Sequence, residues 1–243
     1  MIQREGARRS VVEVAGPPEA VDSDEFRRQA DAIVARYPNS RSASLPLLFL
    51  VQSVEGYVTE DGMRVVAGIL GLTPAQVLAA GSFYTMLKRK PQGDYLVSVC
   101  RNLSCTHMGA REIIATFQER LGINPGETTS DGRFTLETAE CLATCDGAPS
   151  IQVNYEDFYR LTPQDAIALI DEIAAGAEVT SVRGEAVKTH KQVSHETATT
   201  GLRVPGTAGD QTERTIGGES PRADTAPGFR PKARGDGGGR NGA

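Results

Sequence analysis

The sequence predicts an α+β protein: a small helical bundle, then an α/β sandwich, then a disordered C-terminal tail. Three observations carry that prediction. Between residues 21 and 90, successive helix-cap signals each precede an apolar stripe at helical spacing. Between 91 and 178 the patterns run strand, helix, strand, strand, strand, helix. From about Glu178 onward Gly, Thr, Pro, Arg and Ala dominate and apolar residues stand alone, so the chain there cannot bury enough surface to offset its ordering entropy. The expected division is 1–20 extended arm, 21–90 helical bundle, 91–178 sheet domain and 179–243 disordered tail.

The arm contains Pro17-Pro18 and no periodicity. Asp22 or Ser23 caps a first helix running to about Arg36 and closed near Pro38. Ser44 and Pro46 open a second helix, with residues 47, 51, 54 and 58 as its stripe. Thr59 caps a third, in which Met63, Val66, Ile69 and Leu70 face one way before Gly71. Thr73-Pro74-Ala75-Gln76 combines a cap residue, Pro at the first helical position and Gln three residues on, which starts a fourth helix to about Leu87. Lys88–Gly93, with Pro91, is the hinge. Strands are then expected over Asp94–Cys100, Phe134–Cys141, Ser150–Tyr155 and Phe158–Leu161, the last two joined across Glu156-Asp157. A helix lies over Glu112–Leu121, stopped by Gly122, and another runs from the Thr162-Pro163 cap to near Gly176.

All 4 cysteines fall in the sheet region, as two close couples: Cys100-x4-Cys105 and Cys141-x3-Cys145. Each couple follows a predicted strand, so both can meet at one rim of a sheet. Two short loops, each delivering two sulfurs, are what a compact four-thiolate centre needs. Small uncharged neighbours (Asn102, Leu103, Ser104; Leu142, Ala143, Thr144) leave room for backbone N–H groups to reach the sulfurs. Four readings fit these residues: two disulfides, a structural zinc site, four unrelated thiols, or a 2Fe-2S cluster. Disulfides are disfavoured by a chain long enough to bury a core and by an N-terminus without the apolar stretch of a secretory signal. Zinc sites use four thiolates with a shorter loop between couples.

Other function classes find no support. The net charge of −5 and pI near 5.4 do not suggest a nucleic acid or an anionic membrane surface as partner. The longest apolar run, Leu45–Val51, is far short of the roughly 18 residues of a spanning helix, so direct membrane insertion is not expected. No Gly-x-Gly-x-x-Gly follows a strand and no phosphate loop is present, so no dinucleotide or nucleotide site is readable. Ser104 has no base partner, and no catalytic residue is predicted. His107 reads as a surface residue at a helix start, His190 and His195 as solvated tail residues, and Phe83-Tyr84 as core.

The segments Val-Cys-Arg-Asn-Leu-Ser-Cys (99–105) and Glu-Cys-Leu-Ala-Thr-Cys-Asp-Gly-Ala-Pro (140–149), with the helices upstream, resemble the 24 kDa subunit family of NADH:quinone oxidoreductase, respiratory complex I. The resemblance covers roughly residues 20–178. Ala143 departs from it, standing where many members carry Gly. It implies a thioredoxin-like 2Fe-2S domain over 91–178, with Cys100, Cys105, Cys141 and Cys145 as the cluster's ligands. The thioredoxin Cys-x2-Cys motif itself is missing. The implied role is one-electron transfer within an NADH:quinone oxidoreductase. FMN and NAD would sit only on a flavin-bearing, NADH-oxidising partner, and other peripheral-arm subunits would hold the chain on the cytoplasmic, inner face of the cell membrane. Plant-type clusters lie near about −400 mV, a first expectation for the potential. The alternatives are the equivalent subunit of an NAD-linked formate dehydrogenase or hydrogenase and, from another class, a non-redox interaction module built on structural zinc.

Overall fold

The computed structural model describes residues 20–200. The arm expected over 1–20, apart from Ala20, and residues 201–243 lie outside the described residues.

Four helices come first: α1 (Asp24–Val34), α2 (Ser44–Glu55), α3 (Glu60–Leu70) and α4 (Pro74–Phe83), with a short 3-10 turn over Ser40–Ala43. The start signals act as expected. Ser23, Thr59 and Thr73 each accept a backbone N–H of the first turn, and Thr73 with Gln76 closes a full capping box. The second helix is the hub. Leu47, Leu48, Leu50 and Val51 are all fully buried, and α1, α3 and α4 pack around them. At Gly62 a Cβ would come within 2.3 Å of Val51 Cγ1, so the α2–α3 approach requires glycine there. Helix α4 ends at Phe83, earlier than expected, because Tyr84 turns to extended backbone.

The sheet follows: β1 (Tyr95–Cys100), β2 (Phe134–Ala139), β3 (Ser150–Val153) and β4 (Glu156–Tyr159), in the order β2-β1-β3-β4. Only β1 and β2 are parallel, and α5 (Leu103–His107) and α6 (Ala110–Leu121) lie on the crossover between them. Val97, Val99, Leu136, Ile151 and Phe158 form one core with Ile113 and Phe117 of α6 and with Leu169, Ile170 and Ile173 of α7 (Pro163–Ala174). The last hairpin differs from expectation. Its turn is Asn154-Tyr155, both at positive φ (48° and 72°), and β4 begins at Glu156. Positive φ at both central residues is the twist that a two-residue hairpin favours. Asn154 is also anchored, its amide donating to Asp94 O (2.8 Å) and Lys188 O (2.7 Å) while its Oδ1 accepts from Leu96 N (2.9 Å).

The tail expected to be disordered from residue 179 is instead ordered as far as Thr200. Val179 enters the sheet core, residues 180 and 186 bridge across a tight turn, and α8 (His190–Thr200) returns to pack on α2. His190, read as solvated, is 1% exposed. Its backbone N–H donates to Asp94 O (2.7 Å), and its Nε2 lies 3.5 Å from the Gln52 amide. Gln52 is a buried polar hub: its amide donates to Met86 O (3.1 Å) and Ser194 Oγ (3.0 Å), and its Oε1 accepts from Lys88 N (2.7 Å). Lys88 Nζ then meets Glu137 of β2 at 2.8 Å, and Glu137 accepts from Ser98 of β1 at 2.7 Å. Tyr155 OH adds a bond to Met86 O. The helical and sheet cores are thus joined by a hydrogen-bonded polar network, in which the buried His190 Nδ1 is left without a partner among the described residues, and by the returning segment, which touches both.

Two outcomes follow. Deleting 185–243 uncovers α2 and leaves Gln52 without Ser194, so it lowers unfolding free energy by about 2–4 kcal/mol, read from denaturant midpoints. The second concerns acid. Burial, with the Lys88 charge nearby, holds His190 down to about 4, whereas an unfolded His titrates near 6.5. Above about pH 6.5 the ring is neutral in both states and nothing is lost. Between about 6.5 and 4 the unfolded chain takes up the proton first, so stability falls by up to about 1.4 kcal/mol per pH unit. Thermal melts of His190→Gln should show a flatter decline over that window than the parent protein; parallel declines would remove His190 as the cause.

Candidate metal centre

Parallel pairing sets the site. With Cys100 opposite Ala139 in the β1–β2 register, both strands end at one rim, and the loops that follow them run side by side. Arg101 N donates to Ala139 O (2.9 Å), and the Arg101 guanidinium pairs with Glu140 across the same two loops. Because β3 runs antiparallel to β1, its first residue, Ser150, stands at this rim too.

Cys100 is the last residue of β1 and is 2% exposed. Cys105, expected in a loop, lies on α5, a short helix capped by Asn102, and is 1% exposed. Burial pushes the Cys105 thiol up to about 11; the Ser150 backbone N–H acts against this, and the neighbouring Cys100 and Cys145 sulfurs add to it. Cys100 and Cys145, one from each couple, are therefore both close enough to Cys105 to influence it. Cys141 and Cys145 are exposed. Cys141 follows β2 and its sulfur accepts the Ala143 N–H at 3.3 Å, while Cys145 opens a 3-10 turn, Cys145–Gly147. Thr144 Oγ1 to Ser150 Oγ (2.6 Å) ties the second loop back to β3, and Leu142 packs on the sheet core. All four cysteines are free. Among the described residues no three His, Cys, Asp or Glu side chains gather into a group that would hold a single metal ion.

A cavity of about 550 Å³ opens beside Cys145, between Met108 and Glu112 on one side and Arg160, Leu161 and Pro163 on the other. His107 is exposed at the end of α5, and Ser104 is exposed on the same helix. The aromatic pair read as core is outside it: Phe83 is 77% exposed and Tyr84 stands edge-on to it at 5.1 Å. Leu103, 72% exposed, and Met108 likewise project from α5 and its cap. Sequence patterns read large apolar residues as interior, so nothing in them marks this exposed set.

The family profile of thioredoxin-like 2Fe-2S ferredoxins matches residues 30–174. The chain belongs to that family. The E subunit of NADH-quinone oxidoreductase from Mycobacterium tuberculosis (strain H37Rv) is 44% identical over 184 residues, covering 74% of this chain and 73% of that one. A second form of the E subunit, from Rhizobium meliloti, is 37% identical over 157 residues, 65% of this chain and 94% of that protein. Subunit 2 of the same enzyme from Thermus thermophilus is 38% identical over 151 residues, with 61% and 83% covered. Within the family the chain is of the 24 kDa type found in complex I.

Ala143 sits at φ 59°, a left-handed conformation in which a Cβ costs about 1 kcal/mol or more relative to glycine. Ala143→Gly is expected to raise stability by roughly 0.5–1 kcal/mol in denaturant titration and to leave the Cys141 loop intact. A loss of stability would mean that the conformation is held by something other than backbone preference.

Proposed function

We propose that Cys100, Cys105, Cys141 and Cys145 hold one 2Fe-2S cluster, the first couple on one iron and the second on the other. The supporting observation is that four free thiols stand as two couples on one sheet rim, one couple buried and one at the surface. The residues fit such a group. The loops are too short for either couple to reach around a cluster, the Ala143 and Ser150 N–H groups already point at sulfur, and small neighbours leave space.

The chain is a 2Fe-2S electron-transfer subunit of the NADH-quinone oxidoreductase type. Once bound, the cluster stores one electron at a time. The protein's own part is to place and shield it. The β1 end and α5 exclude water from the Cys100 and Cys105 sulfurs, backbone N–H donors compensate added negative charge, and metal binding releases the proton that burial keeps on Cys105. We infer that the electron comes from the flavin of an NADH-oxidising partner, since the sequence carries no dinucleotide motif. The helical region over 21–90 supplies docking surface, and Phe83, Tyr84, Leu103 and Met108 form the apolar contacts of that kind of interface. No single helix among the described residues is long and apolar enough to cross a membrane, so membrane association through partner subunits is part of the same proposal.

Single Cys→Ala changes at 100, 105, 141 and 145 test the ligand set. Each is expected to lose most iron, acid-labile sulfide and the reduced-state EPR signal, and to lower stability by removing the link between the two loops. Protein purified without oxygen that contains zinc or no metal, and no labile sulfide, would end this reading.

A further inference from the structure

A residue outside the family match points back at the cysteine rim. Arg183 lies on the turn bridged by Thr180 and Ala186, beyond the matched residues 30–174. Its Nε donates to Asp157 Oδ2 at 3.1 Å, and Val182 N–H donates to Asp157 O at 3.1 Å. Asp157 is 5% exposed, so its carboxylate depends on these partners. It also accepts from Gln152 Nε2 (2.9 Å) and from Tyr159 OH (3.1 Å). The Tyr159 ring in turn bears on Gly147. A Cβ placed on Gly147 would stand 2.5 Å from Tyr159 Cγ, so ring and loop backbone are in direct contact. Gly147 closes the 3-10 turn that Cys145 opens, and its carbonyl is held by Arg160 N (3.0 Å).

We propose that Arg183 is a positioning residue for Cys145, acting through Asp157 and Tyr159 on the Cys145–Gly147 turn. The proposal rests on the reading of Cys145 as an iron ligand. Its physical content is a chain of dependence. The guanidinium holds a buried carboxylate in place, the carboxylate holds the tyrosine hydroxyl, and the ring holds the backbone that aims an otherwise exposed sulfur. Asp157 without its cation is a buried charge short of a partner; turning it toward water releases Tyr159 and lets the turn relax.

The test uses the full-length cluster-loaded protein prepared without oxygen, with chelator-driven iron loss and the reduced-state EPR g-values as readouts. Arg183→Ala is expected to lose iron about tenfold faster, the factor that losing one of the weaker charge-assisted hydrogen bonds would give, and to shift the g-values. Arg183→Lys restores the cation and should return the rate to within about twofold. Tyr159→Phe keeps the ring and removes its hydroxyl's ties to Asp157 and to Arg183, and should shift the g-values in the same direction. Arg120→Ala, which breaks a surface ion pair to Asp171 in the same domain, should change neither readout. A wild-type rate and spectrum in Arg183→Ala, an unshifted Tyr159→Phe, or an Arg120→Ala that reproduces the effects would each overturn the proposal. Cys145→Ala, run alongside, separates the two levels. If it keeps iron and sulfide, the ligand reading fails and takes this proposal with it; if it loses them while Arg183→Ala is silent, positioning alone fails.

Discussion

Parallel pairing of β1 with β2 is the constraint on which the rest of the molecule depends. An antiparallel pair would carry the residues after its two strands to opposite ends of the sheet; a parallel pair carries them to the same end. Both cysteine couples follow these strands, so their meeting is a property of topology before any loop chemistry is considered. A parallel pair needs a long crossover, and that crossover contains α5 and α6. Placing Cys105 on α5 therefore uses a segment the topology already requires, and packing of Ile113 and Phe117 under the sheet fixes where the crossover begins.

The second constraint is how the helical core meets the sheet core. The contact is polar and runs through Gln52, Lys88, Glu137 and Ser98. Buried polar groups of this kind gain little net stability, but they cost heavily when a partner is missing, so they favour one relative placement of the two cores. The returning segment acts in the same direction, with Val179 in the sheet core and Ala198 in the helical core. The exposed aromatic pair at the end of α4 is therefore held at a fixed distance from the cysteine rim.

Legibility followed periodicity and caps. Helices α1, α3, α6 and α7 were readable because each has a side-chain cap or a glycine stop and an apolar face, and α4 from its capping box. Helix α2 departs from the expected stripe at 47, 51, 54 and 58, since residues 47–52 are buried without a break and the helix ends at Glu55. The two cysteine couples and their common rim were readable from spacing and strand pattern. Helix α8 was not, because its buried face is His190, Ser194 and Ala198, and such a face gives no hydropathy signal. One local cue was present: Thr189 and Gln192 form a reciprocal capping pair, the Thr-x-x-Gln pattern that marked α4. Composition outweighed it, since Gly- and Thr-rich surroundings read as disorder. Helix α5 is a single capped turn, too short for any period to register. The β3–β4 turn was misplaced because Glu156-Asp157 looks more turn-like than Asn154-Tyr155 until the anchoring of the Asn154 side chain is known.

The two couples are held by different physics. Cys100 and Cys105 are fixed by the hydrophobic core, where any shift of a sulfur disturbs close packing. Cys141 and Cys145 are exposed and are fixed by local devices: an N–H to sulfur, the Thr144–Ser150 bond, a left-handed alanine and a tyrosine ring on a glycine. A site built only by core packing would be rigid but closed to a partner. One built only on loops would be open but imprecise. On the proposed ligand set, the buried couple anchors the centre and the exposed couple presents it, with Leu103 and Met108 on α5 and its cap as apolar surface for a partner to cover. Covering that face would remove water from the exposed sulfurs and strengthen every charge interaction there, so the environment of the centre would be complete only in the assembled enzyme.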